Sequence, residues 1–305
     1  TTPEEPAEDP AEDPTETPAE DPAADPTEAP AAEETDAQAA EAEGTAIVVG
    51  ETSYPSLTEA FAAVPDTTDT STDATPVKVQ GDIELSATVD VPANKNIQLV
   101  AVGEATIKRA AGFTGSMFTV NGGNLQMAGA DADAETGTAA GTLTVDGTGD
   151  SVAGSIIEVV SGNYGLSDGV TLTGNKTTGN GGAISNAAGA NVYLLGGTIT
   201  GNAAATGGGI YSEGTVNLKG TVSVTGNTVT DAFSETASNV VLDKDGVINV
   251  TGAVTDSTIG VAVQEAAAGR TVVKLADSVT EDVKLADVLT QITYEGESSL
   301  KIGED

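Results

Sequence analysis

The chain contains no cysteine, no histidine and no tryptophan. Without cysteine there is no disulfide framework, and without cysteine or histidine there is no zinc site built from those ligands. Without imidazole, Ser-His-Asp, Cys-His and HExxH chemistry are excluded. Aromatic residues make up only 3% of the sequence, so any binding face that stacks on rings has few to use. Positive charge is scarce as well: 11 basic residues face 47 acidic ones, for a net charge of −36 over 305 residues. A nucleic acid is not an expected partner, because its phosphates would meet a strongly negative body. No apolar run approaches the roughly 18 residues that a membrane-spanning helix needs, and no span is expected.

The acid is unevenly spread. Residues 1–44 hold 16 of the 47 Asp and Glu and 8 of the 12 Pro, and no Lys or Arg. Proline recurs every four residues at Pro6, Pro10, Pro14, Pro18, Pro22, Pro26 and Pro30. Each proline fixes φ and removes a donor, so neither helix nor sheet propagates. With no large apolar side chain to bury, the segment is expected to be a disordered spacer held open by its own charge. Stretched as polyproline II it would reach on the order of 130 Å, at about 3.1 Å per residue. An acidic start of this kind is read as following a cleaved secretory leader.

From residue 45 onward the chain repeats itself. VTLTGN (170–175), GTITGN (197–202) and VSVTGN (222–227) are spaced 27 and 25 residues apart. GGAI (181–184) and GGGI (207–210) move in step, 26 apart, and VYL (192–194), VNL (216–218) and VVL (240–242) follow at steps of 24. One period shared by three landmarks signals a repeat architecture. Leu172, Ile199 and Val224 alternate with polar neighbours, which is the period of a strand. Gly and Asn punctuate the strands at turns. Three short strands per coil describe a parallel β-solenoid, its coils stacked at about 4.8 Å. Leu172, Ile199 and Val224 are then expected to form one internal ladder, and Val192, Val216 and Val240 another. Asn175, Asn202 and Asn227 are expected to stack as a structural ladder at a turn, where asparagine tolerates the left-handed conformation and its amide can bond along the stack.

The pattern loosens upstream. GSMFTVNGGNLQM (115–127) matches GSIIEVVSGNYGL (154–166) at an offset of 39, one coil plus an insert placed at 130–141. DIELSATVDV, NIQLVAV and ATIK read as earlier coils, giving roughly seven in all. An open solenoid end exposes core and strand edges and needs a cap. Ser56 and Glu59 form a capping box ahead of Leu57, Ala60, Phe61 and Val64, which lie on one helical face until Pro65. The expected organisation is a tail over 1–44, a parallel β-helix with its N-terminal cap over 45–252, and a C-terminal cap or small mixed subdomain over 253–305.

The GGAI and GGGI segments, each paired with an apolar-Thr-Gly-Asn sequence, resemble the repeats of polymorphic outer-membrane proteins. SNVVLDKDGVINVTGAVTDSTIGV (238–261) is similar to the last coil of adhesin-like β-helix proteins of gut bacteria. YPSLTEAFAAV is similar to the helix that opens pectin-lyase-like folds. The resemblance covers about 45–265 and implies an all-β, right-handed parallel β-helix exported to a bacterial surface.

That fold also hosts polysaccharide lyases and hydrolases, so an enzyme is the main alternative. The residues argue against it. Arg109 and Arg270 are far apart in sequence and expected outside the regular coils, no two Asp are adjacent, and Glu158, Asp168 and Glu213 are not singled out by spacing as the paired carboxylates a glycosidase needs. Asp243 to Gly246 begins like an EF-hand loop, but position 12 is Val254. No metal, cofactor or catalytic residue is expected. For binding, Tyr193 and Tyr211 are expected to point outward from neighbouring coils on different faces, and Thr173, Thr200 and Thr225 to form a column on one face. A third reading, an ice- or mineral-surface binder, rests on that Thr array, although Thr is also an ordinary exposed strand residue. The reading adopted is a non-enzymatic extracellular or cell-surface protein of a bacterium, acting in adhesion or as a scaffold toward a host glycan or a host or bacterial surface protein. Proteases are expected to remove residues 1–44 quickly while 45–305 resists; sharp, dispersed amide signals from 1–44 in NMR spectra would contradict this.

Overall fold

A computed structural model describes residues 45–67, 73–130, 140–149, 151–152, 154–230, 236–265 and 269–296. The tail expected over 1–44, most of the insert placed at 130–141 and the end of 253–305 lie outside the described residues.

The body is a parallel β-solenoid with three faces. Apolar residues at every second position of each strand leave one side to bury, and stacking like on like buries it completely. On the first face Val77, Leu99, Met127, Leu166, Leu194, Leu218, Val250 and Leu275 stand in register, one per coil. On the second face the ladder is Ile83, Ile107, Val145, Leu172, Ile199, Val224, Ile259 and Ile292. On the third it is Val89, Phe118, Ile157, Ile184, Ile210, Val240 and Val261. Seven coils are thus complete, and Val273–Leu275 and Ile292–Tyr294 begin an eighth. The parallel pairing does not stop at residue 252. The 39-residue offset is also seen directly, with Phe118 on Ile157 and Met127 on Leu166.

Between the second and third faces the chain turns a corner. Four two-residue strands, Ser151–Val152, Lys176–Thr177, Ala203–Ala204 and Thr228–Val229, stack there as a small parallel sheet of their own. Successive corners nearly touch. A Cβ on Gly182 would lie 2.0 Å from the Gly208 carbonyl oxygen, and one on Gly208 2.2 Å from that of Thr228. This close approach of backbones is why GGAI and GGGI carry glycine where they do.

Two expectations need correction. Val240 does not stack on Val192 and Val216; Ile248 takes that place, and Val240 lies on Ile210 of the third face. Val224 and Val240 are 16 residues apart where Ile199 and Ile210 are 11, so the 24-residue step lands one face early. Arg109 is not outside the regular coils either: it closes the strand Asn96–Arg109 and is only 3% exposed.

At the N-terminal end, strand Ala46–Val49 pairs antiparallel with Thr75–Leu85, and helix Leu57–Ala63 covers the core. The Ser56 hydroxyl accepts the Glu59 N–H at 3.2 Å, as the capping box requires. Leu57, Ala60, Phe61 and Val64 are buried, and Phe61 meets Phe118 with ring centroids 6.4 Å apart. Lys95 fastens the helix end, donating to the Ala62 carbonyl at 3.1 Å and pairing with Asp66 at 2.7 Å. That hydrogen bond holds Asp66 below the ordinary carboxylate range. At the other end, helix Leu285–Leu289 buries Val288 beside the last rung.

Ile199 is fully buried between Leu172 and Val224, whereas Thr200 is half-buried on the outer side. Ile199→Ala is expected to cost roughly 2–5 kcal/mol, because neighbours fixed in register cannot collapse onto the void. Thr200→Ala should cost less than about 0.5 kcal/mol. Thermal or urea unfolding of the two variants checks this, and a register error of one residue would exchange their effects.

Candidate functional site

The predicted Asn ladder lies inside the corner. Asn175, Asn202 and Asn227 are at most 1% exposed. The Asn175 backbone N–H donates to Asn202 Oδ1 (3.1 Å), and that of Asn202 to Asn227 Oδ1 (3.1 Å). The series continues through Asn239: the Asn227 N–H donates to Asn239 Oδ1 (3.0 Å), and the Asn239 N–H to the Glu295 carboxylate (3.0 Å). The side-chain amides tie each rung to the strand behind it, Asn202 Nδ2 donating to the Leu172 and Thr200 carbonyls and Asn227 Nδ2 to those of Ile199 and Thr225.

Both ends of the ladder carry charge. Arg109 Nη2 donates to Asn175 Oδ1 at 3.1 Å, so a cation faces the carbonyl end and Glu295 the N–H end. Charges placed this way stabilise aligned amide dipoles, as they do at helix termini. Arg109 also donates to the carbonyls of Phe113, Gly115 and Ser155 and lies 5.1 Å from the Phe113 ring centroid. Desolvation lowers it to about 10, which leaves it charged at neutral pH. Spacing could not reveal Arg109, Asn239 or Glu295 as members. Asn239 comes 12 residues after Asn227 rather than 25, and the end residues are not asparagine.

On the second face the outward Thr column is longer than the sequence suggested. Thr106, Thr144, Thr171, Thr198, Ser223 and Thr258 stand in register over six coils. Two residues along, Thr173 lies on Thr200, and Thr225 follows, its N–H donating to the Ile199 carbonyl at 3.1 Å. The coils before them place Lys108 and Asp146 in that column.

The two tyrosines lie on different faces and are not brought together. Tyr211 stacks between Ser185 and Val241 on the third face. It takes the outward side of its strand, next to inward Ile210, and is only 8% exposed. Burial, then the negative charges of Asp243 and Glu213, raise its pKa above the ordinary phenol value. It lines a polar pocket of about 310 Å³ with Ser116, Ser185, Glu158 and Glu213. Glu158 and Glu213, scattered in sequence, meet here, while Asp168 does not line the pocket. Ser116 Oγ donates to Glu158 at 2.8 Å.

Tyr193 stays half-buried on the first face, between Gly165 and Asn217. Beside it runs a second, external Asn ladder that no landmark had indicated: Asn96, Asn124, Asn163 and Asn191 in register. Asn191 Nδ2 donates to Asn163 Oδ1 (3.1 Å), Asn163 to Asn124 (2.5 Å) and Asn124 to Asn96 (3.5 Å). The signal was present as the final Asn of NGGN and SGN at the 39-residue offset. Tyr193 and the first three of these asparagines line a groove of about 580 Å³ along the solenoid axis. Among the described residues no group of three or more acidic side chains is arranged to hold a metal ion, and no helix is long and apolar enough to cross a membrane.

The fold and these faces define the chain as a parallel β-solenoid. Comparison with protein-family models, curated proteins and solved structures found no match.

Arg109→Met would leave the buried Asn175 amide oxygen without this donor and take one from the half-buried Phe113 and Gly115 carbonyls, while the Ser155 carbonyl keeps the Met117 N–H. At about 1–3 kcal/mol for a stranded buried group, and less for the two half-buried carbonyls, a loss of roughly 3 kcal/mol is expected. Denaturant unfolding measures it, and an unchanged midpoint would remove Arg109 from the structural account.

Proposed function

We propose that the chain is a non-enzymatic, exported bacterial surface protein that adheres to, or presents a scaffold toward, a host glycan or a host or bacterial surface protein. The observation that carries this reading is repetition on the outside. Amides recur at one rung spacing over four coils of the first face, and hydroxyls over six coils of the second. Such columns suit binding through many weak, repeated contacts. Catalysis instead needs a few groups converging on one bond. Arg109 is buried in the corner and donates to carbonyls, and Arg270 donates to the carbonyls of Gln264, Asp243 and Gly246. The resemblance to adhesin-like β-helix repeats supports export and adhesion.

The six-coil Thr and Ser column favours a second reading, recognition of a regular solid such as ice. Inhibition of ice recrystallisation by the purified chain, lost on Thr171→Leu and Thr198→Leu, would establish it.

The test is the full chain on arrays of host glycans and matrix proteins, with product release assayed on each ligand bound. Saturable binding without turnover is expected. Release of sugar products that disappears with Glu158→Gln or Glu213→Gln would replace adhesion by hydrolysis in the third-face pocket.

A further inference from the structure

We infer that the groove on the first face is a binding site for an uncharged oligosaccharide lying along the solenoid axis, one sugar ring resting against Tyr193. The inference rests on the adhesion reading and names its ligand class and its residues.

The argument begins with the outward column Gln98, Gln126, Gly165, Tyr193 and Asn217, one residue per coil. Glycine stands in it only at Gly165. Gln126 leans over that position to donate from Nε2 to Ser167 Oγ at 2.9 Å. One face of the Tyr193 ring is thereby left without a side-chain neighbour of full size on the preceding rung. Gly165, Gln126 and Tyr193 line the groove together. An aromatic ring with a polar edge suits a ligand that is apolar on one side and hydroxylated on its rim. A pyranose ring has that character.

The amides beside this slot are already aligned. Asn124 accepts from Asn163 and donates to Asn96, and Asn163 accepts from Asn191 and donates to Asn124. A primary amide has two donors and two acceptor lone pairs. Asn124 and Asn163 therefore each keep one donor and one acceptor for a ligand beyond the bonds of the ladder. A sugar hydroxyl both donates and accepts, so a row of hydroxyls meets a row of matched partners. Because the ladder fixes each amide, little side-chain freedom is lost on binding.

Charge selects the ligand further. The residues lining the groove include Asp73 and no Lys or Arg. A uronate, sialate or sulfated sugar would enter without a counter-ion on a strongly negative body. Asn96, Asn124, Asn163 and Tyr193 come from four successive coils, so the groove extends over about 14 Å at about 4.8 Å per rung. That length suits a chain of several sugars better than a monosaccharide.

The experiment is calorimetric titration of the full chain with neutral tetra- to hexasaccharides of glucose, mannose, galactose and N-acetylglucosamine, with oligogalacturonate as the acidic control. The variants are Tyr193→Ala, Gly165→Gln and, on the third face, Asp90→Asn at an exposed position. A Cβ on Gly165 meets only Gln126, at 3.4 Å and beyond, so Gly165→Gln should fold and fill the slot. At least one neutral oligosaccharide should bind, and both groove variants should weaken it by roughly tenfold or more, as loss of a central aromatic contact does. Asp90→Asn should leave binding unchanged, and all three variants should melt as the parent does. Preference for oligogalacturonate, or neutral binding unaffected by either groove variant, overturns the inference. So does failure of every neutral oligosaccharide to bind; a protein ligand found on the arrays would then leave adhesion standing and the groove assignment refuted.

Discussion

The structure depends on a polar constraint inside an apolar solenoid. Each coil must turn a corner between its second and third faces, and the backbone groups there point inward, away from the surface. Asn175, Asn202, Asn227 and Asn239 occupy that corner and supply both the donors and the acceptors it lacks. An unpaired buried amide or carbonyl costs about 1–3 kcal/mol, so an apolar residue at any of these positions would be expensive in several bonds at once. The charges at the two ends make the row a polarised unit, with Arg109 at one end and Glu295 at the other. Register follows: while the amides remain paired, one coil cannot slip against the next without moving the whole row.

Outward function inherits that register. The Thr column of the second face and the Asn column of the first are straight because the ladders behind them are straight. The external Asn row donates toward the N-terminal coils, whereas the internal row donates toward the C-terminal end. The two dipole rows therefore run in opposite senses and partly offset each other. A binding groove built on such a frame is ordered before any ligand arrives, which favours affinity for long, weakly interacting chains such as polysaccharides.

Local periodicity made most of the fold legible. Alternation around Leu172, Ile199 and Val224 gave the buried ladder of the second face, and Ser56 with Glu59 gave the capping helix. The sequence was less legible where the chain changes length between landmarks. The longer step from Val224 to Val240 placed VVL a coil step from VNL in sequence but on another face in space. Residues whose partners lie on distant coils were also hidden: Glu158 and Glu213 share a pocket only because their coils are two apart, and Glu295 reaches Asn239 from the end of the described chain. Tyr211 read as outward, but alternation reports only which side of a strand a residue takes, and on that side it is buried to 8% exposure. Asn186 shows the converse limit. It occupies an inward position of the third face and is fully buried, donating to Ser212 Oγ at 2.9 Å, although its polarity argued for the surface.

The central claim is that the charged-end Asn row acts as one cooperative element that sets the register of the solenoid. Amide hydrogen exchange in the parent chain and in Asn202→Ser tests it most directly, read at the backbone N–H groups of Asn175, Asn202, Asn227 and Asn239. The account predicts that these four exchange among the slowest amides of the parent, and that the substitution raises all four rates together, including that of Asn239 two members along the row. Loss of protection at Asn175 and Asn202 alone, with Asn227 and Asn239 unchanged, would contradict it and reduce the row to a set of independent local hydrogen bonds.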